Sequence, residues 1–222
     1  MELAKRNKIY ILFLLCLSTT VSYATTNLSR IENKKFVQQT GIKTGYNHSF
    51  IAELYYRYRV PGKYNFLLKL DTTVPAGSSL DDYKLKSGLL VPVFVKGFWH
   101  TAVGFDTIFR RYESKLARFY NIGYELNFIS GINFFTWFAN LTFSWDRTAL
   151  TNIRHSNFYL KNFPSAKSGW YDSSGGNFYI GLEAGFNINQ TIFTFELGQS
   201  ISESQFSNLI PWYIKLGAGF EF

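Results

Sequence analysis

The stretch Pro211-Trp-Tyr-Ile-Lys-Leu-Gly-Ala-Gly-Phe-Glu-Phe222 constrains the fold more than any other part of the chain. Taking every second residue gives Trp212, Ile214, Leu216, Ala218, Phe220 and Phe222, all apolar. The intervening set is Tyr213, Lys215, Gly217, Gly219 and Glu221, which is polar, small or amphipathic. Successive strand side chains point to opposite faces, so the alternation predicts a strand with one apolar and one wet face. Its length matches the roughly 9–11 residues that a tilted strand needs to cross a hydrocarbon core.

The first residues read as a leader rather than as part of the fold. Lys5, Arg6 and Lys8 precede the apolar run Ile9–Leu17, and Ser22-Tyr23-Ala24 places small residues at the two positions a signal peptidase inspects. The run is too short for a spanning helix. A secretory signal over residues 1–24 is expected, followed by one domain over 25–222. Cys16 follows Leu15, not the small residue a lipoprotein signal needs, so no lipid anchor is expected. It is the chain's single cysteine, which leaves the remainder without disulfides, thiolate metal sites or a thiol nucleophile.

Composition agrees with a wall that separates two environments. Aromatic residues make up 19% of the chain, yet mean hydropathy is −0.06, as when an apolar outside and a polar inside average out. Only Leu126–Trp145 approaches a helical membrane run. Ser130-Gly131 sits at a turn position there, and Asn133, Asn140, Thr142 and Ser144 recur with even spacing, so two strands and a turn are expected.

The same two-residue rhythm recurs upstream. Strands are expected over 34–46, 49–60, 63–72, 84–95, 98–110, 116–128, 132–145, 176–188, 191–200 and 211–222. In 49–60, for example, Phe50, Ala52, Leu54, Tyr56, Tyr58 and Val60 share one face, while Glu53, Arg57 and Arg59 share the other. Pro92 falls inside 84–95 and predicts a bulge. Turns are expected at Asn47-His48, Pro61-Gly62, Lys96-Gly97, Ser130-Gly131 and Asn189-Gln190, with longer connections over 73–83, 110–115, 146–175 and 201–210. The expected fold is an all-β, transmembrane, antiparallel up-and-down β-barrel of about ten strands, with eight as the alternative count.

The C-terminal strand, with Trp212, Phe220 and a terminal Phe222, resembles the last strand of bacterial outer-membrane β-barrels, where it acts as an assembly signal. That resemblance covers twelve residues and matches no specific family. It implies a Gram-negative outer-membrane location, lipid and lipopolysaccharide as surroundings, and the barrel-assembly machinery as a transient partner. A monomer is expected, with no nucleic-acid partner.

Parity places Lys43, Glu53, Arg57, Arg59, Lys69, Lys84, Lys86, Asp106, Glu125, Glu183, Glu196 and Lys215 on the inner face. A charge buried without a partner is very costly, so an ion-paired plug is expected, with a narrow porin-like pore for ions or small solutes as the alternative. This implies a structural or interaction role: envelope stabilisation or display of surface loops. A basic outer connection, Arg110, Arg111, Lys115 and Arg118, is a candidate contact for lipid phosphates.

Enzymatic readings find little support. His155 and Ser156 are adjacent, whereas lipid A deacylases place this pair on one strand face, one residue apart. A lipid-A-modifying enzyme is therefore only a second alternative. Asp81, Asp82 and His155 evoke the rim of omptin-like proteases, but nothing in the sequence joins them. His100 and Asp106 lie about 20 Å apart along one strand. No catalytic, cofactor or metal residues are assigned.

Overall fold

The computed structural model describes residues 37–47, 49–61, 66–75, 82–172, 175–203 and 212–222. The expected leader, with Cys16, and residues 34–36 of the first expected strand lie outside them, as do His48, Gly62 and Asp81. Among the described residues there are eleven strands: β1 (Gln38–Asn47), β2 (Ser49–Val60), β3 (Phe66–Pro75), β4 (Tyr83–Lys96), β5 (Trp99–Glu113), β6 (Ala117–Asn133), β7 (Trp137–His155), β8 (Gly169–Asp172), β9 (Gly176–Ile188), β10 (Thr191–Ser202) and β11 (Trp212–Glu221). A single helix among the described residues, α1 (Asn157–Asn162), lies between β7 and β8.

Ten of the strands close a ring of antiparallel neighbours. β1 to β7 pair in sequence, β7 pairs with β9, β9 with β10, β10 with β11, and β11 returns to β1 from Gln39↔Glu221 to Asn47↔Tyr213. Closure leaves no strand edge in the ring unpaired. β8 is an accessory that extends the wall beside the far end of β7, from Leu150↔Asp172 to Ile153↔Gly169.

Side-chain parity sorts as the alternation requires. Leu216 on β11 is 58% exposed on the outside, while its neighbours Tyr213 and Glu221 are buried inside. Phe50, Leu54, Leu68, Leu70, Phe105, Leu126, Phe143 and Leu182 are likewise outward and exposed. Outward hydroxyls bond to the wall itself: Thr101 and Ser130 meet at 2.8 Å, and the Thr107 hydroxyl donates to the Ser87 carbonyl at 2.9 Å.

Pro92 interrupts the β4–β5 register between Pro92 and Phe94, as its missing amide demands. At one end of the ring the connections are tight. Gly97 at φ 60° and Asn189 at φ 55° open two of these turns, where the left-handed conformation suits a strand hairpin.

Three expectations are corrected. Ser130 and Gly131 lie within β6, and the chain turns at 134–136, closed by the Phe134 amide donating to the Trp137 carbonyl at 2.8 Å. Glycine stands at 131 for close approach, because an added Cβ would collide with the Ala139 carbonyl of β7. Residues 110–113 are strand rather than loop. The real turn is at 114–116, where the Ser114 hydroxyl accepts the Leu116 and Ala117 amides at 3.3 and 3.1 Å. Most of the supposed long loop 146–175 is structured, as β7 out to His155, α1 and β8. Between Ile122↔Leu150 and Gly123↔Thr148 the register shifts, so Ala149 is an extra residue and parity is lost there.

Candidate functional site

Inside the ring the polar side chains converge on one another. Lys43 on β1 reaches Glu183 of β9 at 3.2 Å and Glu196 of β10 at 3.1 Å. Lys215 of β11 lies 3.5 Å from Glu196 and 3.6 Å from Glu53 of β2. Around the opposite wall, Arg57 pairs with Asp71, and Lys69 with Asp106 at 2.7 Å. Lys86 pairs with Glu125 at 2.9 Å, Lys84 with Asp146 at 3.2 Å, and Arg110 with Asp146. These contacts join seven cations to seven carboxylates, so the paired set carries no net charge. Neutral groups extend it: Asn127 donates to Asp106 at 2.6 Å, and Ser144 to Asn127 at 2.8 Å.

All of the paired side chains but Asp106 and Asp146 line a cavity of about 710 Å³. It runs from the rim residues Asn47, Ser49, Pro75, Tyr83, Tyr112 and Ser202 down to Asn127, Ile129 and Thr142. Beyond Ile129 the interior changes character. Leu67, Leu90 and Ala102 pack together with Ile129 against them. Phe138 and Ile192, near the same end, are 1% and 0% exposed, so the base is filled. Asn133 and Asn140, also buried there, pair side chain to side chain at 2.8 Å. Among the described residues the lumen is a polar cup over a base where this apolar packing sits among buried Arg59, His100, Asn133, Asn140 and Glu221.

The inward residues expected from parity therefore fall on the lumen side. Glu53, Lys69, Glu125, Glu183, Glu196 and Lys215 contribute to the pairs above, and Arg57, Arg59 and Asp106 are buried. Sequence reasoning missed Asp71 and Asp146. Asp71 shares parity with Lys69 on β3, a signal that was available. Asp146 fell in the supposed loop, yet it is 0% exposed beside Arg110 and Lys84. Arg110 corrects the basic outer connection in turn. It points into the cup, with its guanidinium also donating to the Thr148 hydroxyl at 3.1 Å, and is not placed to meet lipid.

The other members of that connection stay outside. Arg111 and Arg118 both pair with Glu113, at 2.5 and 2.6 Å, and Lys115 is exposed in the turn. Hydrogen bonding from Arg118, and then from Arg111, holds the Glu113 carboxyl below its ordinary value. Trp212 and Phe222 are exposed on the outer face, and the Phe220 and Phe222 rings stack at 6.2 Å.

His155 ends β7, its ring stacked on Tyr159 at 4.8 Å and its Nδ1 3.4 Å from the Ser168 hydroxyl. Ser168 also accepts the His155 amide at 3.0 Å, and no carboxylate contacts the imidazole among the described residues. The adjacent Ser156 hydroxyl caps α1 by accepting the Tyr159 amide. Each group thus has a local structural task. No cluster of three or more metal-ligating side chains occurs among the described residues.

A closed ten-stranded antiparallel ring with apolar residues outside and charges inside is consistent with the outer-membrane type of β-barrel. No family model matches the chain, and no curated protein matches it.

Proposed function

We propose that the chain is a bacterial outer-membrane β-barrel whose lumen is closed to transport and whose role is structural or interaction-based. The observation that carries this reading is the inverted polarity of the wall together with the ion-paired cup. Apolar side chains stand exposed around the outside, and ion pairs with zero net charge line the inside above a filled base. Such a lumen, its described cations and carboxylates paired with one another, lacks the single-signed charge ring by which pores select ions. Cross-wall pairs tie β1 to β9 and β10, and β3 to β5, and so brace the ring. In this reading the barrel-assembly machinery inserts the chain, with Trp212, Phe220 and Phe222 as the recognised outward residues, and the 156–172 segment is displayed at the cell surface.

The cavity of about 710 Å³ favours a second reading, a narrow pore for ions or small solutes. Planar-bilayer recordings decide between the two. Folded protein is expected to insert without discrete current steps. Reproducible steps from protein whose folding is verified by heat-dependent gel mobility would establish the pore.

A further inference from the structure

The outer wall of β5, β6 and β7 is ordered in cross-strand rows. Phe109, Ile122 and Leu150 are partners in one row, the last with apolar residues on β5, β6 and β7 toward the end carrying α1, and it ends on β8 at the exposed Asp172. The next row is Arg111, Tyr120, Asn152 and Trp170, and the one after it is Glu113, Arg118 and Arg154. From Ile132 to Ile122 the β6 strand advances about 33 Å at roughly 3.3 Å per residue, which a tilt near 40° reduces to about 25 Å of height. That is the thickness of the apolar band on a membrane barrel. The arginine rows therefore begin where the hydrocarbon ends.

Charge in these rows is not balanced. Arg118 and Arg154 face one another across adjacent strands, an arrangement of like charges that destabilises a sheet. Glu113 holds Arg118 through two nitrogens, at 2.9 and 2.6 Å, and also takes Arg111. Asp82 is occupied with the Glu113 backbone amide at 2.7 Å. Arg154 has no carboxylate partner among the described residues; its guanidinium lies over the Tyr120 ring at 5.7 Å. Trp170, 59% exposed in the same outward row as Tyr120, puts an indole at the boundary where aromatic rings with a polar edge settle.

We propose that this patch, centred on Arg118 and Arg154, binds the phosphate of a phosphorylated glycolipid in the leaflet surrounding the barrel. A phosphate between the two guanidiniums would relieve their repulsion and accept charge-assisted bonds from planar donors. Tyr120 and Trp170 would pack against the sugar and upper acyl carbons. The proposal rests on the membrane reading above, and the test separates the two.

Wild type and the double variant Arg118→Gln/Arg154→Gln are reconstituted into phosphatidylcholine vesicles containing either bisphosphorylated lipid A or the same lipid after phosphatase treatment. The barrels are then extracted in mild detergent, and lipid retained per protein is measured by native mass spectrometry. Wild type is expected to retain the bisphosphorylated lipid at least tenfold over its dephosphorylated form, and the double variant to lose that preference. Arg118→Lys/Arg154→Lys should keep part of it. Equal retention of both lipids by wild type, or an unchanged preference in a folded double variant, would overturn the proposal. So would displacement by millimolar inorganic phosphate, which would reveal a site for the free ion. Failure of wild type to insert into any vesicle would instead refute the membrane reading.

Discussion

Replacing Lys43 with methionine tests whether the lumen network is a bracing element or a wet, screened array. Glu183 and Glu196 are direct cross-strand partners with both carboxylates inside the ring, so they would repel if left alone. Lys43 lies within 3.2 Å of one and 3.1 Å of the other. Once it is gone, Glu196 keeps Lys215 at 3.5 Å, but Glu183 has no other cation in ion-pair range among the described residues. Stranding one buried charge of this kind costs about 3–5 kcal/mol. At about 1.4 kcal/mol per decade, that is roughly a hundredfold to a few-thousandfold fall in the folding equilibrium. Urea titration in phosphatidylcholine vesicles, followed by tryptophan fluorescence and heat-dependent gel mobility, measures it. Lys43→Met/Glu183→Gln removes the stranded charge and should recover most of the loss, a non-additivity that marks a direct interaction. A single variant within about 1 kcal/mol of wild type would refute the argument, because exposed and screened pairs have that small a value.

Two further outcomes follow from the wall and its rim. Leu216→Arg puts a charge on an outward side chain that is 58% exposed, and should cost about 2–4 kcal/mol in a bilayer if that position lies at mid-depth; a neutral effect in vesicle unfolding would count against lipid contact at this face. Glu113 has a lowered folded-state value, so its contribution to holding Arg111 and Arg118 is present above the ordinary 4.5 and lost only as pH falls below it. A carboxyl-carbon NMR titration should show that low midpoint moving upward in Arg118→Gln, and an unmoved midpoint would remove Arg118 as the cause.

Parity carried most of the architecture into the sequence because a two-sided wall leaves each strand only one acceptable facing. β9 was legible to the residue for this reason: Phe178, Ile180, Leu182 and Phe186 alternate with Tyr179, Gly181, Glu183 and Gly185. The reading failed where a local cue outweighed the rhythm. Ser130-Gly131 looks like a turn, but its glycine answers the Ala139 carbonyl across the ladder, a contact that no local pattern reveals. At Ala149 the bulge shifts the phase by one, so Thr148 and Leu150 point opposite ways although two residues apart. Asp146 and Arg110, flanking that region, were assigned to loops and so lost to the lumen set. The depth of the cup was illegible for another reason. Whether inner side chains fill the lumen depends on which partners they meet across it, and cross-lumen distances such as Lys43 to Glu183 follow from closure of the ring.

That closure has a consequence for the chain's history. The seam joins residues 39–47 to 213–221, so the two ends of the folded chain must meet before either has a complete set of neighbours. Contacts so distant in sequence form slowly. Until they form, β1 and β11 are raw edges with free amides and carbonyls. A nascent chain therefore cannot seal the ring strand by strand from its beginning. It must wait, unsealed, until its last strand has been made, and a product truncated before Trp212 would keep nine staves of the ring and no means of shutting it.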